Sequence, residues 1–157
     1  MLKKYKSYII SVAIALGVGA LSALVTRGSM DIYGTLNQPP LSPPSFLFPI
    51  VWSVLFVLMG IGAAGVYEKG KGNPDIVKRP LTVYAINLWV NFLWSIIFFN
   101  LRAFLFAFVW LVFLIAIIIT MIIEFRKVCK WCGNLQIPYL LWCLFALYLN
   151  AGIYILN

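Results

Sequence analysis

Five stretches of this chain, each about twenty residues long, carry no charged side chain, and that single feature decides what the chain can fold into. They run from Tyr8 to Thr26, Phe46 to Tyr67, Leu81 to Asn100, Ala103 to Ile123 and Ile137 to Leu156. A helix rising about 1.5 Å per residue crosses the roughly 30 Å hydrocarbon core of a bilayer in about twenty residues. Closed barrels are the only other spanning solution, and they need strands of about ten residues that alternate apolar and polar. These runs are apolar all round, so the expected fold is an all-α membrane protein, one domain of five transmembrane helices over residues 1–157. Across its 157 residues the chain is 64% hydrophobic and only 10% charged, which excludes an ordinary water-soluble domain.

The formal charge of +8 invites a nucleic-acid reading, but the basic residues sort by connection. Lys3, Lys4 and Lys6 precede the first run, Lys69, Lys71, Lys78 and Arg79 lie between the second and third, and Arg126, Lys127 and Lys130 lie between the fourth and fifth. These three segments share one side of a five-span bundle, and only Arg27 and Arg102 fall on the other. The positive-inside rule then puts the N-terminus in the cytoplasm and the C-terminus outside, in a cell membrane, with no nucleic acid as partner. The three-lysine start and the length of the first run mark an uncleaved insertion signal.

One connection is long and unusual. Arg27 to Ser45, on the external side, contains Pro39, Pro40, Pro43 and Pro44, which fix φ and stiffen the backbone enough to lie across the end of the bundle as a lid. Ser45 is the expected N-cap of the second helix and Pro49 falls in its first turn. Helices three and four, joined through Leu101 and Arg102, should be antiparallel neighbours. Small residues recur on helix one (Ala13, Gly17, Gly19, Ala20, Ala23) and helix two (Gly60, Gly62, Ala64, Gly65), where backbones can approach within or between protomers. Cys129 and Cys132 form a C-x-x-C pair that could be a redox motif or half a zinc site, but without a second ligand pair or a βαβ context two ordinary reduced thiols are expected; Cys143 reads as packing.

The functional argument begins from absences. The chain has no His, and Glu68 and Glu124 fall at span ends, so no ionisable group lies at depth to carry a proton. Acid–base and metal-assisted catalysis lack their usual groups, and no metal site is expected. What the spans do carry is amide and aromatic character. Asn87, Asn91 and Trp94 follow i, i+4, i+7 spacing on helix three, and Trp52, Phe56 and Met59 repeat it on helix two. Tyr139, Trp142, Ala146 and Asn150 share a face of helix five. Amides facing lipid are costly, so the helix-three stripe must point into protein, either as bundle-holding hydrogen bonds or as part of a cavity. Trp89 and Trp131 suit the interfacial aromatic belt. Aromatic walls with a few amides make a mostly apolar pocket that orients one flat or hydrophobic ligand. One geometric conflict stands out: Trp52 and Trp142 sit on antiparallel helices and lean opposite ways, so a shared ligand requires a large guest or offset helices.

At P-P-L-S-P-P-S-F-L-F-P-I-V-W-S-V-L-F (Pro39 to Phe56), N-L-W-V-N-F-L-W-S-I-I-F-F (Asn87 to Phe99) and P-Y-L-L-W-C-L-F-A-L-Y-L-N (Pro138 to Asn150), the chain resembles the translocator protein family, also called tryptophan-rich sensory proteins or peripheral-type benzodiazepine receptors. The resemblance implies a five-helix bundle, commonly a homodimer, binding tetrapyrroles such as protoporphyrin IX, and in some members cholesterol or synthetic benzodiazepine-site ligands. It implies a ligand site of Trp52, Phe56, Asn87, Asn91, Trp142 and Ala146, with Trp94 on the same stripe and Pro43 and Pro44 in the closing loop. No cofactor is required; the tetrapyrrole is the ligand. The function so implied is a membrane sensor or carrier, the alternatives being a transporter of hydrophobic compounds or a light-dependent porphyrin-degrading enzyme in which Trp52 and Trp142 would be the reactive side chains. Two departures stand out: Ile32 and Leu41 occupy places where the family often has Trp, and the sterol pattern lacks its basic residue, because Tyr154 is followed by Ile155, Leu156 and Asn157.

Overall fold

In the computed structural model, residues 2–157 are described, with side chains for all of these except 2–4 and 30–32. Among the described residues, five helices are long and apolar enough to cross a membrane. The elements are α1 (Leu2–Thr26), a 3₁₀ turn (Met30–Thr35), α2 (Leu47–Lys69), α3 (Pro74–Ser95) continuing as a π-helical turn (Ile96–Asn100), α4 (Phe104–Val128), a short α5 (Lys130–Asn134) and α6 (Ile137–Leu156). The side chains of Lys3, Lys4 and Ile32, which bear on the charge sorting and on one of the two departures, lie outside the described residues.

Apolar run length located the spans, but the helices extend beyond it wherever backbone geometry permits. α3 begins at Pro74 rather than Leu81, because Pro74 stands at the helix start, where a missing N–H is harmless, and Asp75 suits the first turn. Pro80, expected in the connection, therefore lies inside the helix. The N-cap of α2 is Phe46, not Ser45; its backbone is already helical, and the Ser45 carbonyl accepts from the Phe48 N–H at 3.3 Å. α4 runs on to Val128, which carries Glu124 within the helix and buries it. The buried carboxylate is paired: Arg79 on α3 reaches it at 3.2 Å and Lys127 at 3.1 Å. This ties α3 to α4 at the end of the bundle where the lysines and arginines gather, called the basic end below.

α1 packs chiefly on α2, and α4 serves as the common support of α3 and α6. The small residues of α2 mark where backbones meet. A Cβ on Gly60 would lie 2.6 Å from the Val12 Cα, and the Ser11 hydroxyl donates to the Gly60 carbonyl at 2.7 Å, so α1 and α2 touch backbone to backbone here. Gly65 receives the α5 turn, Cys132 Sγ lying 2.5 Å from where its Cβ would be. Gly60 and Gly65 thus pack within the protomer.

The C-x-x-C pair departs from expectation. Cys129 and Cys132 are joined as a disulfide, with Cα atoms 5.3 Å apart, because α4 ends in the extended backbone of Cys129 and α5 turns Cys132 back toward it. Cys143 is a free, buried thiol.

Replacing Gly60 with Val forces a methyl-bearing side chain into the α1 backbone. We expect a loss of about 1–3 kcal/mol, the usual cost of overpacking, read as a lower unfolding temperature in detergent. An unchanged temperature would show that α1 and α2 are not locked at this point.

Candidate functional site

The polar side chains of α3 determine the centre of the bundle. Asn91 Nδ2 donates to the Tyr139 hydroxyl at 2.7 Å, and that hydroxyl donates to Asn87 Oδ1 at 2.7 Å. Asn87 Nδ2 completes the set with Met59 Sδ at 3.7 Å. One turn further, Trp94 Nε1 donates to Asn150 Oδ1 at 3.3 Å, and Asn150 Nδ2 to the Phe104 carbonyl at 2.9 Å. The asparagine stripe therefore holds α3, α6 and α4 together, and part of it also faces a cavity.

That cavity, of about 450 Å³, lies between α1, α2, α3 and α6, toward the end that carries the proline-rich connection. Of the aromatic and amide-stripe residues singled out from sequence, Trp52, Phe56, Asn91, Trp94, Trp142, Ala146 and Asn150 line it. Asn87 does not; it is fully buried beneath, bonded to Tyr139. Pro43 and Pro44 do not line it either. Their place is taken by Tyr33 of the 3₁₀ turn, whose hydroxyl donates to the Pro43 carbonyl at 3.4 Å and whose ring stands edge-on to Phe48 at 5.0 Å. Burial pushes the Tyr33 phenol up, against a smaller opposite effect of Ser42, so it stays a neutral donor at ordinary pH.

Tyr33, Phe48, Phe98 and Phe99 are cavity residues that sequence reasoning missed. The first was visible only as the tyrosine next to Ile32. The last two reach the cavity through the π-helical turn, in which Leu101 N–H bonds to the Ile96 carbonyl at 3.0 Å. Their rings pack together at 4.9 Å, and Phe98 also stacks on Trp94 at 5.2 Å. π-turns inside α-helices are frequent at functional sites because they reposition side chains that regular spacing would point elsewhere.

The conflict between Trp52 and Trp142 is resolved by offset helices. Trp52 faces Tyr139, ring centroids 6.2 Å apart, while Trp142 faces Phe48 at 5.8 Å, one turn closer to the loop end. Both indoles therefore line one cavity from different heights. Trp142 Nε1 is buried and has no hydrogen-bond partner among the described residues. Phe56 reaches across to α1 because residue 19 is glycine; a Cβ there would lie 2.7 Å from its ring.

The proline-rich connection runs from the 3₁₀ turn toward α6. The Asn37 N–H donates to Asn157 Oδ1 at 3.2 Å, Asn157 Nδ2 to the Asn37 carbonyl at 2.9 Å, and the Tyr148 hydroxyl to the Pro40 carbonyl at 2.6 Å. Leu41 takes a left-handed backbone, φ 71°, and is 84% exposed, so it does not face the cavity. Among the described residues no three His, Cys, Asp or Glu side chains gather as a metal site. The arrangement is an apolar, aromatic-walled chamber with a few amide and indole groups.

The TspO/MBR family pattern matches residues 11–156. The chain belongs to the TspO/MBR family. It is 35% identical over its whole length to the tryptophan-rich protein TspO of Chlorobaculum tepidum, covering 99% of that protein. It is 33% identical to protein CrtK of Rhodobacter capsulatus, over 88% of this chain and 85% of that one. With the translocator protein of Bos taurus it shares 31% identity over 84% of this chain and 79% of the relative. The chain is thus a TspO/MBR membrane protein, similar to relatives named as sensory and translocator proteins.

Tyr139→Phe removes the hydroxyl that both asparagines use and strands two buried amide atoms. The expected loss is about 1–3 kcal/mol of stability, read by thermal unfolding in detergent. A loss near zero would mean that water or a rotated amide replaces the bond.

Proposed function

We propose that this TspO/MBR protein binds a flat tetrapyrrole of the protoporphyrin IX type in the cavity between α1, α2, α3 and α6, and serves as a sensor or carrier for it. The observation that carries this reading is the composition of one chamber: three of the chain's six tryptophans, Trp52, Trp94 and Trp142, with Phe48, Phe56 and Phe98, beside the amides of Asn91 and Asn150 and with no charged side chain in its lining. Its volume of about 450 Å³ falls in the usual range of small-molecule pockets. Aromatic walls suit a flat conjugated ring. The unpartnered Trp142 Nε1 suits an acceptor on the guest, since a buried N–H left alone costs free energy. Synthetic ligands of the benzodiazepine-site class would meet the same walls. The names of relatives, sensory protein and translocator protein, fit a carrier or sensor. In the same reading the basic end faces the cytoplasm, and two copies associate as a homodimer.

Titrating protoporphyrin IX against tryptophan fluorescence tests the reading. Saturable quenching is expected, and Trp142→Phe should weaken binding about tenfold, equivalent to about 1.4 kcal/mol. Quenching that rises linearly without saturation removes the proposal.

A second reading follows from the two indoles on the cavity wall, Trp52 and Trp142: oxidation of the bound porphyrin in light. Bleaching of the porphyrin absorption band under illumination but not in darkness, abolished by Trp52→Phe, would establish it. Equal spectra in light and dark leave binding as the function.

A further inference from the structure

The C-x-x-C pair has no part in the cavity, yet its surroundings lead to it. We propose that Cys129 and Cys132 form a reversible dithiol–disulfide couple that exchanges with an anionic cytosolic thiol of the glutathione class, and that its state is relayed to the ligand cavity through Gln136. The relay rests on the binding function proposed above; the exchange does not.

Three observations support the exchange. The two sulfurs are already paired across a backbone separation of 5.3 Å. They sit at the end of the bundle that charge sorting turns toward a reducing compartment, where a disulfide is transient or redox-sensing rather than a permanent staple. Exposed cations adjoin them in sequence, Arg126 and Lys130, with Lys127 already held by Glu124, a setting that attracts an anionic thiol. Both sulfurs are nearly fully covered, so attack follows local opening of the five-residue α5. One glutathione thiolate attacks one sulfur of the pair, forming a mixed disulfide and releasing the other as a thiolate. A second glutathione thiolate attacks the glutathione sulfur of that mixed disulfide and releases the protein sulfur as a thiolate. Glutathione disulfide leaves, and the pair keeps two electrons and two protons.

The relay is contiguous. Cys132 Sγ lies against α2 at Gly65, 2.5 Å from where a Cβ on that residue would stand. Its carbonyl accepts from Gln136 Nε2 at 3.3 Å, and the same nitrogen donates to the Leu58 carbonyl of α2 at 3.1 Å. The next residue, Met59, holds Asn87, which shares Tyr139 with the cavity residue Asn91. Opening the bridge changes the seat of Cys132, and hence the register of Gln136 on the helix that carries Trp52 and Phe56.

The test uses the full-length protein in nanodiscs, equilibrated in glutathione buffers of graded redox poise, acid-quenched, denatured and alkylated with a polyethylene-glycol maleimide. The expected result is a single reversible transition between three adducts and one, the remaining one being Cys143. Protoporphyrin IX affinity should differ about fivefold between the end states, vanish as a difference in C129S/C132S, and shrink in Gln136→Leu while the pair still titrates. Three adducts at every poise, or one at every poise, overturns the couple. A clean titration with identical affinities overturns the relay. Absence of saturable porphyrin binding in either state refutes the binding function instead, and the adduct count still reads the couple.

Discussion

The interior of this bundle depends on the hydrogen bonds that join Asn91, Tyr139 and Asn87. In hydrocarbon an unpaired amide costs far more than in water, because no solvent can take the place of the missing partner. The tyrosine hydroxyl accepts from one asparagine and donates to the other, which fixes α3 against α6 at one height. Trp94 and Asn150 repeat the device a turn away and bring in α4 through the Phe104 carbonyl. With α3, α4 and α6 held as one wall, α1 is left to pack mainly on α2, and it is the least buried of the five spans. The chamber opens between that fixed wall and the α1–α2 pair.

Hydropathy made the spans legible because the bilayer imposes a length on every one of them. The helix ends were less legible, since they are set by capping geometry and not by apolarity: Pro74 starts α3 about two turns before the apolar run, and Phe46 displaces Ser45 as the cap of α2. Spacing on α2, α3 and α6 found most of the wall, but it could not separate Asn87 from Asn91. Both lie on one stripe, and only the position of Tyr139 decides that the first is sealed beneath and the second faces the chamber. Phe98 and Phe99 were hidden for another reason: regular helical spacing does not describe a π-turn. The pairing of Cys129 with Cys132 depends on where α4 ends, which the sequence pattern left open.

The prolines of the long connection do not line the chamber. They stiffen the backbone, and their carbonyls serve as acceptors: Pro43 for Tyr33, Pro40 for Tyr148. A proline cannot donate from its own nitrogen, so in this segment bonds run from side chains into its carbonyls. The residue that reaches the chamber is Tyr33, held by its hydroxyl at one end and by Gln38 bonding its carbonyl at 2.6 Å at the other. Leu41 faces outward in a left-handed turn, so the phenol ring of Tyr33, and not that position, reaches the chamber.

Stiffness is distributed unevenly between the two ends. At the basic end, Glu124 bridges Arg79 and Lys127, Gly60 admits the α1 backbone, and Gln136 bonds into α2. Glu124 and Gln136 are themselves buried, so separating the helices there leaves a carboxylate and an amide without their partners. At the loop end the ties are side chain to carbonyl bonds at exposed positions, such as Asn37 with Asn157 and Asn100 with the Val25 carbonyl. Water replaces such bonds at small cost. Local opening draws on the least buried contacts first, so movement falls to the loop end and α1, while the asparagine–tyrosine network keeps the floor of the chamber in place.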